Sequence, residues 1–295
     1  MPAPQIAFIG FGEAGPAIAC GLSEAGVDDI TTFDILQASD EGRALIIKRA
    51  EDNGTSLRVS HADAVRDRDI IISTVTCSDA VVAARQVAPH LKAGQTYLDV
   101  NSVSPETKKQ IGAAIAVSGA TFVEASIMSP IHPNRHASPI LVCGPGAPVL
   151  VECLAPYGMS LEDMGPEFGQ AAATKMFRSI VFKGLEALLQ ECVIAANQYG
   201  VAEKVLDSIG KSYPELDWNA LASYFIGRSV VHGERRAHEM EEVAETLRAM
   251  GIPPFMADGA AKRISWLNRQ GLKDKLKGHE PETYREVLDA LKATG

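Results

Sequence analysis

The chain has 295 residues, 46% of them apolar and 22% charged, and its 37 Asp and Glu against 28 Lys and Arg give a formal charge of −9. That is ample material for a buried core, at a length where one core begins to divide into two, and it excludes wholesale disorder. The 25 Gly and 16 Pro are too few for a collagen-like or low-complexity chain, and the acidic balance argues against nucleic acid as a partner, which calls for a basic surface.

The excess acid lies in residues 1–166, whereas 167–295 are close to neutral. A composition change of this kind accompanies a domain boundary near the middle of the chain. The five cysteines (Cys20, Cys77, Cys143, Cys153 and Cys192) are scattered and lack the close pairs of a zinc or redox motif. They read as small core residues in a reducing compartment. Met1-Pro2 runs directly into a strand-like segment without the features of a signal peptide, and no apolar run reaches bilayer length. The expectation is a cytoplasmic protein with no membrane partner.

Residues 5–9 (QIAFI) form a short apolar run ended by glycines, and 16–25 then show helical spacing through Ile18, Ala19 and Leu22. A second strand, 30–33, ends at Asp34 and is followed by a helical stretch over 43–51. Residues 70–75 (IIISTV) are too continuously apolar for a half-exposed strand and suit a parallel strand covered on both faces. Residues 96–100 and 121–125 repeat the pattern, each after a helical segment. Strands separated by helices imply right-handed crossovers and a Rossmann-type doubly wound parallel sheet.

After Gly165-Pro166 the pattern changes. From 168 to about 199 there is no proline, and apolar residues recur at helical spacing from Met176 to Ala196, which predicts one long helix too apolar to stand alone in water. Further helices are expected over 202–209, 218–231, 234–250 and 256–266, with breaks at Gly210, Tyr213-Pro214, Gly251 and Pro253-Pro254. The expected architecture is therefore α/β over residues 1–166 and all-α over 167–295, without an internal repeat.

Gly10-Phe11-Gly12-Glu13-Ala14-Gly15 fits G-x-G-x-x-G between the first strand and the first helix. Glycines there permit a tight turn, close approach of a pyrophosphate to the backbone, and close helix-strand packing, with the helix N-terminus facing the phosphates. Asp34 closes the second strand 19 residues past Gly15, where a carboxylate accepts hydrogen bonds from an adenosine ribose. The alternative is a glycine-rich turn in an α/β protein that binds no nucleotide. Asp34 would repel a 2′-phosphate, and the first cation after it is Arg43, so NAD is expected over NADP. Glu13 would repel a pyrophosphate unless it points to solvent, which is its expected orientation. Thr74, Val75 and Asn101, at the ends of later strands, complete the expected cofactor surface.

With Asp99-Val100-Asn101-Ser102-Val103-Ser104-Pro105 the chain resembles the β-hydroxyacid dehydrogenase family, which includes 6-phosphogluconate and 3-hydroxyisobutyrate dehydrogenases. Those enzymes carry D-x-S-T-x-S-P or G-N-S at this point. Phe122 to Pro130 (FVEASIMSP) is similar to the family's F-V-D-A-P-V-S-G-G, but Met128-Ser129-Pro130 replaces S-G-G, and Pro130 has no amide to offer a substrate carboxylate. Gly169 to Lys175 (GQAAATK) resembles the segment that ends in the family's catalytic lysine. The resemblance spans the whole chain and implies that Lys175 is the acid/base of alcohol oxidation, a role suited to a lysine desolvated in a cleft. By pattern alone Lys175 belongs to a solvated helix stripe with Ser179, Phe182 and Glu186.

The resemblance further implies that Ser102, Ser129, Arg178 and Ser179 orient substrate in a cleft between the domains, Ser179 standing where the family has asparagine. In the segment His232 to Met240, His238 takes the register of a later family lysine. The alternative there is a surface paired at i to i+4, Arg235 with Glu239 and His238 with Glu242. Lys183 and Glu186 are expected as surface or packing residues, and the loop IHPNRH offers Arg135 as an anion contact or a plain surface residue. Pro133 and the lack of nearby Cys or carboxylates argue against a metal there. These departures mark a divergent branch in the C-terminal domain.

The expected function is hydride transfer between NAD and a small 3-hydroxy acid or polyol acid, in a homodimer or higher homo-oligomer. The alternatives are an imine or ketone reductase on the same scaffold and a non-catalytic dinucleotide-binding sensor.

Overall fold

The structure is a computed structural model that describes residues 2–292. The chain divides into two compact units, Met1–Lys175 and Met176–Gly295.

The first unit is an α/β sandwich. In chain order it contains β1 (Ile6–Ile9), α1 (Ala14–Glu24), β2 (Ile30–Phe33), α2 (Asp40–Asp52), β3 (Ser56–Leu57), α3 (His61–Val65), β4 (Ile70–Ser73), α4 (Ala80–Val87), β5 (Thr96–Asp99), α5 (Pro105–Ala116), β6 (Thr121–Ile127), β7 (Ile140–Cys143), α6 (Ala147–Leu154) and β8 (Leu161–Asp163). The sheet order is β3-β2-β1-β4-β5-β6-β7-β8. The strands β1 (IAFI), β4 (IIIS) and β7 (ILVC) are mostly apolar and wholly buried because both their faces are covered. Ile6 and Phe8 point into a core with Ile18, Leu22, Val123 and Leu150. Ala7 and Ile9 point to the opposite core, with Ile71, Tyr97, Ile111 and Phe122.

One feature departs from the expected sheet. The sheet is mostly rather than wholly parallel, because β7 returns antiparallel to β6, with Glu124 opposite Cys143 and Ile127 opposite Ile140. A return through a loop leaves no strand-helix-strand signature, so 140–143 escapes a reading based on that rhythm. As a doubly wound sheet requires, the order reverses between β1, whose connection leads outward to β2, and β4, which pairs with the other side of β1. A crevice opens at such a switch point, beyond the carboxyl ends of the strands.

The long helix α7 (Gln170–Gln198) starts in the first unit and continues into the second, which adds α8 (Ala202–Ser212), α9 (Trp218–Ala249), α10 (Phe255–Asn268), α11 (Leu272–Lys275) and α12 (Tyr284–Lys292). The two helices expected over 218–231 and 234–250 are the arms of α9, joined through His232, whose φ of −118° and ψ of 15° interrupt the helix. Beside that kink, Gly233 lets α10 approach closely, since a Cβ there would lie 2.9 Å from the Cβ of Asn268. Small residues on α9 and α10 (Ala244, Ala257, Ala260, Ala261) line the same seam.

Of the two roles expected for Lys183 and Glu186, surface or packing, both residues take the second. Glu186 is fully buried and accepts hydrogen bonds from Arg236 and Ser229, while Lys183 pairs with Glu239 at 2.7 Å. Burial acts to raise the Glu239 carboxyl, but Lys183, with Arg235 and Arg236 behind it, holds it below the usual carboxylate range. Among the described residues no helix is long and apolar enough to cross a membrane.

Candidate active site

The glycine turn joins β1 to α1 at the switch point, and its three glycines answer to different demands. Gly10 has φ +85°, and a Cβ there would lie 2.7 Å from the Thr74 carbonyl oxygen. A Cβ on Gly15 would lie 2.8 Å from Thr74 Oγ1 and 2.9 Å from the Gly10 carbonyl. These two are required by the fold, and Thr74 ties them together by donating from Oγ1 to the Gly10 carbonyl at 2.6 Å. Gly12 is different, because a Cβ there would meet nothing within 4 Å. The protein itself gives no reason for glycine at that position, whereas a pyrophosphate lying against the backbone does. The first turn of α1 carries no acidic residue and, among the described residues, no side-chain cap, which leaves its backbone donors without a side-chain acceptor, and Glu13 is exposed, as expected.

Asp34 ends β2 and is buried. Its two carboxylate oxygens accept from the backbone N–H groups of Phe11 (2.6 Å) and Leu36 (2.8 Å), which fixes the carboxylate beside the turn with lone pairs remaining for ribose hydroxyls. Sequence order alone makes Arg43 the nearest cation, but Arg49 is the one that reaches the turn. From the last part of α2 its Nη1 donates to the Phe11 carbonyl at 3.2 Å. The donor set therefore fits a dinucleotide: uncapped helix N–H groups, an open glycine, and a fixed carboxylate at the end of β2.

Beyond β5, at the same carboxyl edge of the sheet, Asn101 is buried. Its Nδ2 donates to Ser73 Oγ at 2.9 Å and to Asp99, while its Oδ1 has no partner among the described residues. Asp99 is itself held by the fully buried Lys108, whose Nζ donates to Asp99 Oδ2, to the Asp99 carbonyl and to the Ala125 carbonyl at 2.8 to 2.9 Å. Ser102 follows. Its Oγ accepts from Lys175 Nζ at 2.6 Å and its carbonyl accepts from the Cys77 thiol at 3.0 Å. Two residues given no role in the motif reading thus belong to this edge: Cys77, exposed rather than a core cysteine, and Glu124, whose carboxylate accepts from the backbone N–H groups of Gly169 and, at 2.7 Å, of Ala172 at the start of α7.

The remaining candidates lie as follows. Val75 packs at the margin of the second core, and Ser129 Oγ donates to the Pro130 carbonyl at 3.3 Å. Arg135 forms a two-pronged pair with Glu24 of α1. In the second unit the Arg178 guanidinium lies 4.4 Å over the Phe182 ring, and Ser179 follows it on α7. The exposed His238 lies 3.4 Å from Glu241 and 3.7 Å from Glu242, and Arg235 pairs with Glu239.

Residues 5–152 match the model of the NAD binding domain of 6-phosphogluconate dehydrogenase, half of the chain. The chain belongs to the β-hydroxyacid dehydrogenase family. Its divergence from the family is in the C-terminal part, where residues 196–267 match a domain of unknown function (DUF1932). A conserved hypothetical protein from Sinorhizobium meliloti 1021 is 35% identical, with 99% of this chain and 97% of that chain covered and a TM-score of 0.84. A 3-hydroxyisobutyrate dehydrogenase of Mycobacterium tuberculosis, studied with L-serine, shares the fold at 16% identity and a TM-score of 0.72, with 99% of each chain covered. An NAD-dependent L-serine dehydrogenase of Pseudomonas aeruginosa is 28% identical over 127 residues, 42% of this chain and 40% of that protein.

For this family member the glycine geometry makes a test. Gly12→Ala will leave thermal stability within about 0.5 kcal/mol of wild type, since its Cβ meets nothing within 4 Å, and will weaken NADH binding by at least about tenfold, since the added methyl enters the backbone approach that a pyrophosphate needs. Gly15→Ala, by contrast, will lower the melting temperature through its clash with Thr74 and Gly10. Fluorescence titration with NADH and a melting curve on each variant check both halves.

Proposed function

We propose that this protein is an NAD-dependent oxidoreductase that oxidises the hydroxyl of a small 3-hydroxy acid or polyol acid, with residues 1–166 holding the cofactor and 167–295 serving substrate binding and dimerisation. The observation that carries the reading is the Lys175 Nζ to Ser102 Oγ hydrogen bond of 2.6 Å, at the sheet edge shared with the glycine turn. The cofactor would lie on Gly10, Phe11, Gly12, Glu13, Ala14 and Gly15, with Asp34 at the adenosine ribose and Thr74, Val75 and Asn101 along its length. Bound NAD would supply the hydride acceptor.

The chain's own contribution is positioning and proton transfer. An amine at Lys175 Nζ takes the substrate hydroxyl proton as the alcohol becomes a carbonyl, and the ammonium returns it in the reverse direction. Ser102 steers that amine and offers its own hydroxyl to the substrate. Ser129, Arg178, Ser179 and His238 are the further candidates for holding the carboxylate and polar groups of the substrate, Arg178 by a paired hydrogen bond that a lysine would not make.

Cofactor choice follows from Asp34, whose fixed carboxylate stands where a 2′-phosphate would bring two more negative charges. Like-charge repulsion at a few ångströms in a partly buried site favours NAD by tenfold or more, on the order of 1.4 kcal/mol. Arg49 offsets part of this. Steady-state assays with NAD and with NADP on a panel of 3-hydroxy acids that includes L-serine are expected to give NADH from at least one of them, with kcat/KM for NAD at least about ten times that for NADP. Turnover confined to imines or ketones with NADPH would replace this reading with a reductase, and tight NADH binding without turnover of any panel member would replace it with a sensor.

A further inference from the structure

Glu124 is a fully buried carboxylate at the carboxyl edge of the sheet, in register with Asp99 on β5 and with Cys143 on β7. Asp99 is neutralised by Lys108. Among the described residues no lysine, arginine or histidine forms an ion pair with Glu124. Its compensation comes from backbone instead, through Gly169 N–H at one oxygen and Ala172 N–H at the other. Both donors belong to the otherwise unpaired set at the start of α7, where the helix dipole also favours negative charge. Burial first, with the Glu124 charge adding to it, pushes the adjacent Cys143 thiol up to about 11 against the lowering effect of the Ala171 and Gln170 N–H groups, so the thiol stays protonated and Glu124 remains the charged acceptor at this helix start.

A helix N-terminus is ordinarily capped by a Ser, Thr, Asp or Asn just before its first turn. Here the cap comes from a strand 45 residues earlier, so it does more than terminate a helix: it bonds the first turn of α7 to the sheet edge. A second anchor acts beside it, since Phe168 packs on Phe122 with ring centroids 5.1 Å apart and fills the space that a Cβ on Gly144 would need. Lys175 stands three residues past Ala172, less than one turn from the capped donors, and its amine reaches Ser102 on the loop after β5.

We propose that Glu124 is a positioning residue, which by capping α7 from β6 sets where the Lys175 amine sits over Ser102. The inference rests on the reading of Lys175 as the acid/base. Displacing a reacting group by about an ångström costs on the order of a hundredfold in rate, and Glu124 never needs to touch the substrate to exert that control.

The test compares wild type with Glu124→Gln, Glu124→Asp and Lys175→Ala. Glu124→Gln preserves size but turns one acceptor into a donor that faces a backbone N–H. Its amides at 170–175 are expected to exchange with deuterium at least tenfold faster than in wild type, while those of β1 and β4 are unchanged and the NADH dissociation constant stays within twofold. With NAD and whichever panel hydroxy acid wild type oxidises, kcat is expected to fall at least tenfold at nearly constant KM, and the limb of the kcat pH profile that Lys175→Ala abolishes is expected to shift. Glu124→Asp, which keeps the charge one methylene short, is expected to recover part of kcat, and it stands in if the glutamine variant does not fold. Unchanged exchange at 170–175, or wild-type kcat in both Glu124 variants beside an inactive Lys175→Ala, would overturn the positioning role. Wild-type kcat in Lys175→Ala would overturn the acid/base reading instead, and the exchange of 170–175 would then still decide the cap.

Discussion

Lys175→Ala is expected to lower kcat by about 10²- to 10⁴-fold, the usual contribution of a positioned acid/base, while leaving the NADH dissociation constant within twofold of wild type. The separation is expected because Lys175 Nζ bonds to Ser102 on the loop after β5, whereas the groups proposed to hold the dinucleotide are the turn at 10–15 and Asp34, joined to each other through the Phe11 N–H. The pH dependence has a definite sign. Oxidation of an alcohol needs the neutral amine, so wild-type kcat in that direction rises with pH, and the variant loses the rise. Lys175→Arg tests charge against proton transfer: the guanidinium restores the cation but does not deprotonate in this range, so it should bind substrate and remain nearly as slow as the alanine variant. Ser102→Ala leaves the base present but unsteered and should cost less than Lys175→Ala. Equal kcat in wild type and Lys175→Ala would remove the lysine from the chemistry.

Most of what was legible in the sequence was local. Strand, turn and helix around Gly10 to Gly15 and the acid at Asp34 follow from short-range rules, because apolar runs, glycines and a strand-terminal carboxylate are each visible within a few residues. Lys175 and Ser102, 73 residues apart, could be linked in advance only through resemblance to a family. The parts that could not be read are those decided by distant neighbours. Glu124 occupies a strand position that in any alternating pattern would be called a surface acid. It is buried because the start of α7, 45 residues later, brings backbone donors to it. Lys183 and Glu186 look like a solvated stripe, yet the partners that bury them, Glu239 and Arg236, come from α9. Arg49 is further along the chain than Arg43 but nearer the turn, since α2 points its last part back toward Phe11. The antiparallel β7 was hidden for a similar reason, as its pairing with β6 leaves no periodic trace in a four-residue apolar run.

The largest stability effect is expected at Lys108. Its ammonium is fully buried and makes three hydrogen bonds, to both kinds of oxygen on Asp99 and to the Ala125 carbonyl, so it ties β5 to β6 through side chain and backbone together. Lys108→Met preserves most of the volume and removes the charge, leaving the Asp99 carboxylate buried without its cation and taking one donor from each of two buried carbonyls. Breaking a buried pair from one side costs about 3 to 5 kcal/mol, which for a protein of this size corresponds to roughly 6 to 20 °C in melting temperature. The pair as a whole contributes far less than that, because both groups were desolvated to form it. The double variant Lys108→Met with Asp99→Leu should therefore recover much of the loss, and the difference between the single and double variants measures the coupling. Activity should not recover with stability. Asp99 also holds Asn101 Nδ2, and Asn101 precedes Ser102, so the double variant is expected to melt near wild type while its kcat stays depressed. A double variant that regains both would show that the pair serves the sheet alone, and a single variant melting within 1 °C of wild type would show that Asp99 finds another partner.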